Sequence, residues 1–129
     1  MNILIATRPA PPEAGMIRVG PVASIREILR ERGVDAQPIL ESFGLPMQFF
    51  EDPDATMRFE TLCKLLAACA HATACPQLGL LIGQRGGLGT LGALGFLMQN
   101  APDVQTALHE LVRNINVHDR GAAPRLDVA

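Results

Sequence analysis

Residues 58–74 read RFETLCKLLAACAHATA, and the fold turns on this stretch. Phe59, Leu62, Leu66 and Cys69 recur at three- and four-residue spacing, with Cys63, Leu65 and Ala70 beside them. That period lines apolar side chains along one side of an α-helix. Glu60 and Lys64 stand four apart in the favourable order on the opposite side, where His71 also falls. Pro76 ends the helix, because the residue before a proline is pushed out of the helical region. The spacing predicts helix three over about Arg58–Ala74.

Working toward the C-terminus, QLGLLIGQRG (77–86) is too short for its period to choose between helix and strand. Glycine then crowds in at Gly79, Gly83, Gly86, Gly87, Gly89, Gly92 and Gly95. A helix is expected over about Leu91–Asn100, stopped by Pro102, with Gly92 and Gly95 giving it a flat side where another helix can approach closely. Asp103 caps a last helix running to about Val117, striped by Val104, Leu108, Leu111 and Ile115. The tail RGAAPRLDVA (120–129) holds turn residues and one short strand candidate, Arg125–Val128.

Working toward the N-terminus, Glu51, Asp52, Pro53 and Asp54 read as a solvated connection whose charges cap helix three. A calcium loop would need regularly spaced oxygen ligands and a distal bidentate Glu, which this stretch lacks. A short helix capped by Asp35 carries Ile39, Leu40 and Phe43 and closes at Gly44. One more turn is expected in Leu45–Phe50. Helix one, about Val22–Arg32, has the stripe Val22, Ile25, Ile28, Leu29 and ends at Gly33. Pro9, Pro11, Pro12 and Gly15 mark residues 1–20 as a flexible arm, within which Met16 is a candidate natural start. The organisation expected is therefore an arm (1–20), a helical domain (21–118) and a tail (119–129).

Composition narrows the function. The 129 residues are 48% apolar, enough for a core and too many for a disordered chain. No run of 18 apolar residues exists, so no transmembrane helix is expected. The first residues, MNILIA, are too short for a signal-peptide core, which points to the cytoplasm. A net charge of −2 gives no basic footprint for nucleic acid. The odd cysteine count suits a reducing compartment. Cys63, Cys69 and Cys75 lie six apart, roughly 240° around a helix, so their sulfurs diverge. Cys63 and Cys69 fall on the apolar arc and Cys75 on the polar side, which makes Cys75 the expected exposed thiol.

Chemistry-bearing patterns are sparse. Gly87, Gly89 and Gly92 spell GxGxxG, but two helical patterns follow where a βαβ unit and a ribose-binding acid are needed. The chain's one lysine, Lys64, is not in a phosphate loop. His71, His109 and His118 show no zinc-ligand spacing, and His118 near a helix end is expected to bond carbonyls. Ser24 and Ser42 lack a nucleophile context. Neither catalysis, a metal nor a cofactor is expected. Arg26, Arg30 and Arg32 are balanced by Glu27 and Glu31 and read as a solvated face. The last helix carries Gln105, Arg113 and two Asn, but Asp103 and Glu110 would repel phosphate, so direct DNA binding is not expected.

Three segments in order carry a resemblance: GVDAQPILESFGLP (33–46), EDPDATMRFETLCKLLAACAHATACPQLGLLIGQR (51–85) and LGTLGALGFLMQNAPDVQTALHELVRNINVH (88–118). They resemble the N-terminal effector domain of AraC-type transcriptional regulators, in the subgroup with an arabinose-binding-like N-terminal domain. The resemblance implies sensing of a small effector or self-association, with DNA read by a separate helix-turn-helix domain. The family continues past the position of His118 into a β-rich part, so a chain ending at Ala129 reads as truncated before that part and before the DNA-reading one. The sequence thus predicts an all-α fold of five to seven short helices in one bundle-like domain, packed around helix three and the last helix. Phe59, Leu62, Phe96, Met98 and Leu111 are candidates for an effector pocket, and equally for core. The alternative function is a helical self-association module that takes no small molecule.

Overall fold

Burial begins with three short helices whose apolar periods interlock. The computed structural model describes residues 13–127, and the elements below are those of that range. Helix α1 spans Ile25–Glu31 and turns Ile25, Ile28 and Leu29 inward. It starts three residues later than the spacing suggests, because Gly20–Val22, with Pro21 inside, winds into a separate 3-10 turn. Gly33 ends the segment in the left-handed region at φ +72°, where a side chain would be strained. Helix α2, Ala36–Ser42, is capped by Asp35, whose carboxylate accepts the Gln37 N–H at 3.0 Å. It buries Ala36 and Leu40. A 3-10 turn at Phe49–Glu51 then delivers Phe50 to the same core.

Helix α3, Phe59–Ala72, forms as its period predicts, and Lys64 meets Glu60 at 3.0 Å on the outer side. Its buried line is Leu62, Leu65 and Cys69, with Phe59 and Leu66 half-buried. Helix α4, Leu78–Gly86, resolves the ambiguous segment and adds Leu78 and Ile82 to the core. Arg85 of α4 clamps Glu31 of α1 in a short bidentate pair, with Glu27 at 3.9 Å. The core is built from α1 to α4 together with Ile17, Val19, Phe50, Met57 and Cys75.

After α4 a 3-10 turn, Leu88–Leu91, leads to α5 (Ala93–Gln99) and α6 (Val104–Asn114), which form a helical hairpin. Asp103 caps α6 by accepting the Thr106 N–H at 2.6 Å. Gly95 faces the Leu88 turn so closely that a built Cβ runs into the Leu88 carbonyl. The close approach expected of the glycine-rich stretch is thus made at Gly95 alone and to a 3-10 turn rather than another helix; Gly92 stands outside α5 as its N-cap at φ +57°. A final 3-10 turn covers Ile115–Val117.

Several expectations are corrected. The fold is not all-α: β1 (Met16–Arg18) pairs antiparallel with β2 (Thr56–Arg58), with Ile17 opposite Met57. Three residues carry no readable period of two, and the pairing is decided by a partner 40 positions away. Met16–Arg18, within the stretch expected as an arm, therefore belong to the fold, and residues 1–12 of that stretch lie outside the described residues. The tail strand is absent over Arg125–Asp127, where Arg125 pairs with Asp127 in solvent. The tail instead bridges the sheet at Asp119, opposite Ile17. Helix α6 is not a centre of the core, for none of its residues is buried. Cys63 is exposed and Cys75 buried, the reverse of the expected order. Helix α3 ends at Ala72, and Ala74 enters the left-handed region, so Cys75 no longer follows helical projection and turns inward. The acidic connection does not cap α3; Glu51 pairs with Arg26 and Asp54 with Arg18.

Candidate functional site

The α5–α6 hairpin is amphipathic on the outside. Val104 is 75% exposed and Phe96 69%, while Leu65 in α3 is at 0%. Leu88, Leu97 and Leu108 are also exposed. Exposed apolar groups of this size are expected singly on any surface; here Val104 and Leu108 of α6 lie open beside Phe96 and Leu97 of α5, while Leu111 and Val112 further along α6 are half-buried. Leu88, Met98, Ala101, Val104, Ala107 and Leu108 line a shallow groove of about 420 Å³ along the hairpin, with Asp103 at its polar edge. Its walls are almost entirely hydrocarbon, so what it can do is bury apolar surface.

The hairpin is tied to the sheet by a buried polar junction. Arg18 of β1, only 6% exposed, donates from Nε to the Val117 carbonyl at 2.9 Å and lies 3.4 Å from Asp54. The Arg18 N–H donates to the His118 carbonyl at 2.8 Å. His118 Nε2 makes a short contact with the Leu91 carbonyl, so the ring joins the α6 end to the turn that precedes α5. Its Nδ1 is buried without a partner. Desolvation holds the His118 pKa below the ordinary histidine value, with Arg18 acting in the same direction; the Leu91 carbonyl and Asp54 oppose it. The neutral ring is thus the form this junction holds. Asp119 beside it accepts the Gly121 N–H at 2.7 Å and the Ala122 N–H at 3.1 Å, which turns the tail. A histidine near a helix end was expected to bond the carbonyls of that end, whereas His118 reaches Leu91 on the far side of the hairpin; the spacing also holds no sign of Arg18, whose partners lie up to 99 positions away.

The five candidate pocket residues are dispersed. Leu62 sits in the α1–α4 core. Phe59, half-buried, lines a hollow with Gly15, Met16 and Gly121. Met98 lines the hairpin groove, Phe96 points to solvent, and Leu111 is half-buried on α6. Another hollow, about 450 Å³, lies between α1, the start of α2 and the Phe49–Glu51 turn, and none of the five lines it. Desolvation pushes the pKa of the buried Cys69 thiol up to about 11. Among the described residues no group of His, Cys, Asp and Glu could hold a metal ion, and no helix is long and apolar enough to cross a membrane.

Comparison with known proteins adds the family. The chain is similar to the HTH-type transcriptional regulator VirS from two strains of Mycobacterium tuberculosis, at 30% identity over 103 residues. That alignment covers 80% of this chain and 30% of the relative, so the chain spans about a third of the regulators it matches. A family model described as the arabinose-binding domain of AraC transcription regulators, N-terminal, matches residues 33–129. The matched part contains α2 to α6, the hairpin groove and His118. The chain therefore belongs to the family of N-terminal domains of AraC transcription regulators.

Proposed function

We propose that this chain is the regulatory region of an AraC-type transcription regulator, which senses a small effector and pairs with a second copy of itself. DNA contact falls to a helix-turn-helix part of the kind named in the relatives, and the chain works in the cytoplasm. The observation that carries the pairing is α6, an amphipathic helix with no buried residue beside an exposed Phe96. Two copies that lay these hairpins together would bury Val104 and Leu108 in each, and a symmetric contact repeats every gain twice. Coupling to an effector then needs only a population shift. A ligand bound more tightly by one hairpin arrangement favours it, and the DNA-reading part reports the change.

Sedimentation velocity tests the pairing. The reading expects a concentration-dependent dimer, abolished by Leu108→Glu with the circular dichroism spectrum unchanged. A chain that stays monomeric at hundreds of micromolar contradicts it. The same exposed stripe also favours a second reading, self-association with no ligand. Dimerisation without thermal stabilisation by any small molecule would select that reading.

A further inference from the structure

The hollow between α1, the start of α2 and the Phe49–Glu51 turn is amphipathic, unlike the hairpin groove, and we propose that it binds a zwitterionic amino acid with an apolar side chain. Its floor is hydrocarbon: Phe50 is buried, and Val34 and Met47 are half-buried. Its rim carries both signs of charge, Arg26 and Arg30 from α1 facing Asp35 and Glu51. Its size, about 450 Å³, falls within the range of small-molecule sites, roughly 300–1,000 Å³.

The charges choose the ligand class. Arg26 and Arg30 stand four apart on one helix, where like charges repel. Arg26 is 3.5 Å from Glu51, whereas Arg30 forms no ion pair with any described residue. A carboxylate between the two guanidiniums relieves that repulsion and takes charge-assisted hydrogen bonds from Arg30. Glu27, the remaining acid of the lining, leans toward Arg85 at 3.9 Å. With Glu27, Asp35 and Glu51 against two arginines, the lining is net negative, so a simple anion is disfavoured. An ammonium group beside the carboxylate answers this. Asp35 spends one oxygen on its own helix cap and Glu51 one on Arg26, which leaves the second oxygen of each to accept from the ammonium. A side chain of leucine size then covers Phe50 and Met47. Because α1, α2 and the 3-10 turn each supply a wall, occupancy ties together three short elements.

This inference rests on the effector-sensing half of the proposed function. Its test is calorimetry and thermal melting of the 129-residue chain with L-leucine, glycine, isocaproic acid and isoamylamine. Leucine is expected to bind and raise the melting midpoint. Glycine should bind more weakly, and neither the acid nor the amine, each lacking one charge, should bind at the same concentration. Arg30→Ala, an exposed position, should weaken leucine at least about tenfold with an unchanged circular dichroism spectrum, and Arg30→Lys should recover part of it. Absence of leucine binding, equal binding of isocaproic acid or of isoamylamine, or full leucine affinity in Arg30→Ala would each overturn the assignment. Such a failure leaves the sedimentation result on pairing untouched, and a monomeric chain that binds leucine would sink the pairing alone.

Discussion

Helices α3 and α6 have similar stripes in sequence and opposite fates in the fold. Both carry apolar residues at three- and four-residue spacing over three turns or more. In α3 the stripe meets α2, α4 and the sheet, and Leu65 is sealed completely. In α6 the stripe meets α5 and the turn after it, and Val104 and Leu108 stay open. Leu94 and Met98 of α5 are buried, yet they lie outside the main core cluster. Periodicity therefore tells which side of a helix is apolar, and says nothing of whether the chain itself supplies the cover.

Truncation should separate the two regions most sharply. Leu65→Ala is expected to cost about 2–5 kcal/mol, the range for a sealed leucine that leaves a cavity. Val104→Ala, at a position 75% exposed, should stay within about 0.5 kcal/mol at dilution. Urea titration of both variants at low protein concentration makes the comparison, and equal losses would put α6 into the core after all. Next in size is Gly95→Ala, where the new methyl group collides with the Leu88 carbonyl. Overpacking of this kind costs about 1–3 kcal/mol. Limited proteolysis should show the Leu88–Leu91 turn cut faster while α3 stays intact.

A smaller effect of the opposite sign is expected in the core half. Gly83 lies inside α4 with open space where a Cβ would go. Gly83→Ala should stabilise by about 0.5–1 kcal/mol in the same titration. The pH dependence of the junction comes last. Since the folded His118 pKa is depressed, the unfolded chain binds more protons once pH falls below about 6.5. The His118 contribution is then intact above that pH and declines on acidification toward its lower folded value. Melting followed from pH 8 to pH 5 should fall less steeply in His118→Gln than in the parent. Identical slopes would mean that the ring is already wet.

Much of the helical frame was legible in the residues. Asp35 and Asp103 announce their caps, Gly33 and Gly44 their left-handed stops, and the glycines around Gly95 a close packing contact. The sheet was not legible, because Ile17 and Met57 become strand residues only through each other. Cys75 was misplaced because helical projection was carried past Ala74, where the backbone has left the helix. Apolar character in the sequence cannot distinguish Leu62 in a sealed core from Phe96 in water. The α1–α2 hollow was read only as a solvated arginine face. Its second wall comes from Met47, Phe50 and Glu51, and helix periodicity in α1 contains no information about them.

Hydrogen exchange at two protein concentrations tests most directly whether the hairpin keeps its apolar side for a partner. Amides of α3 should be strongly protected at both concentrations. Those of α6 should exchange quickly when the chain is dilute and slow markedly when it is concentrated. Protection of α6 equal to that of α3 in the dilute sample, unchanged on concentration, would contradict the account.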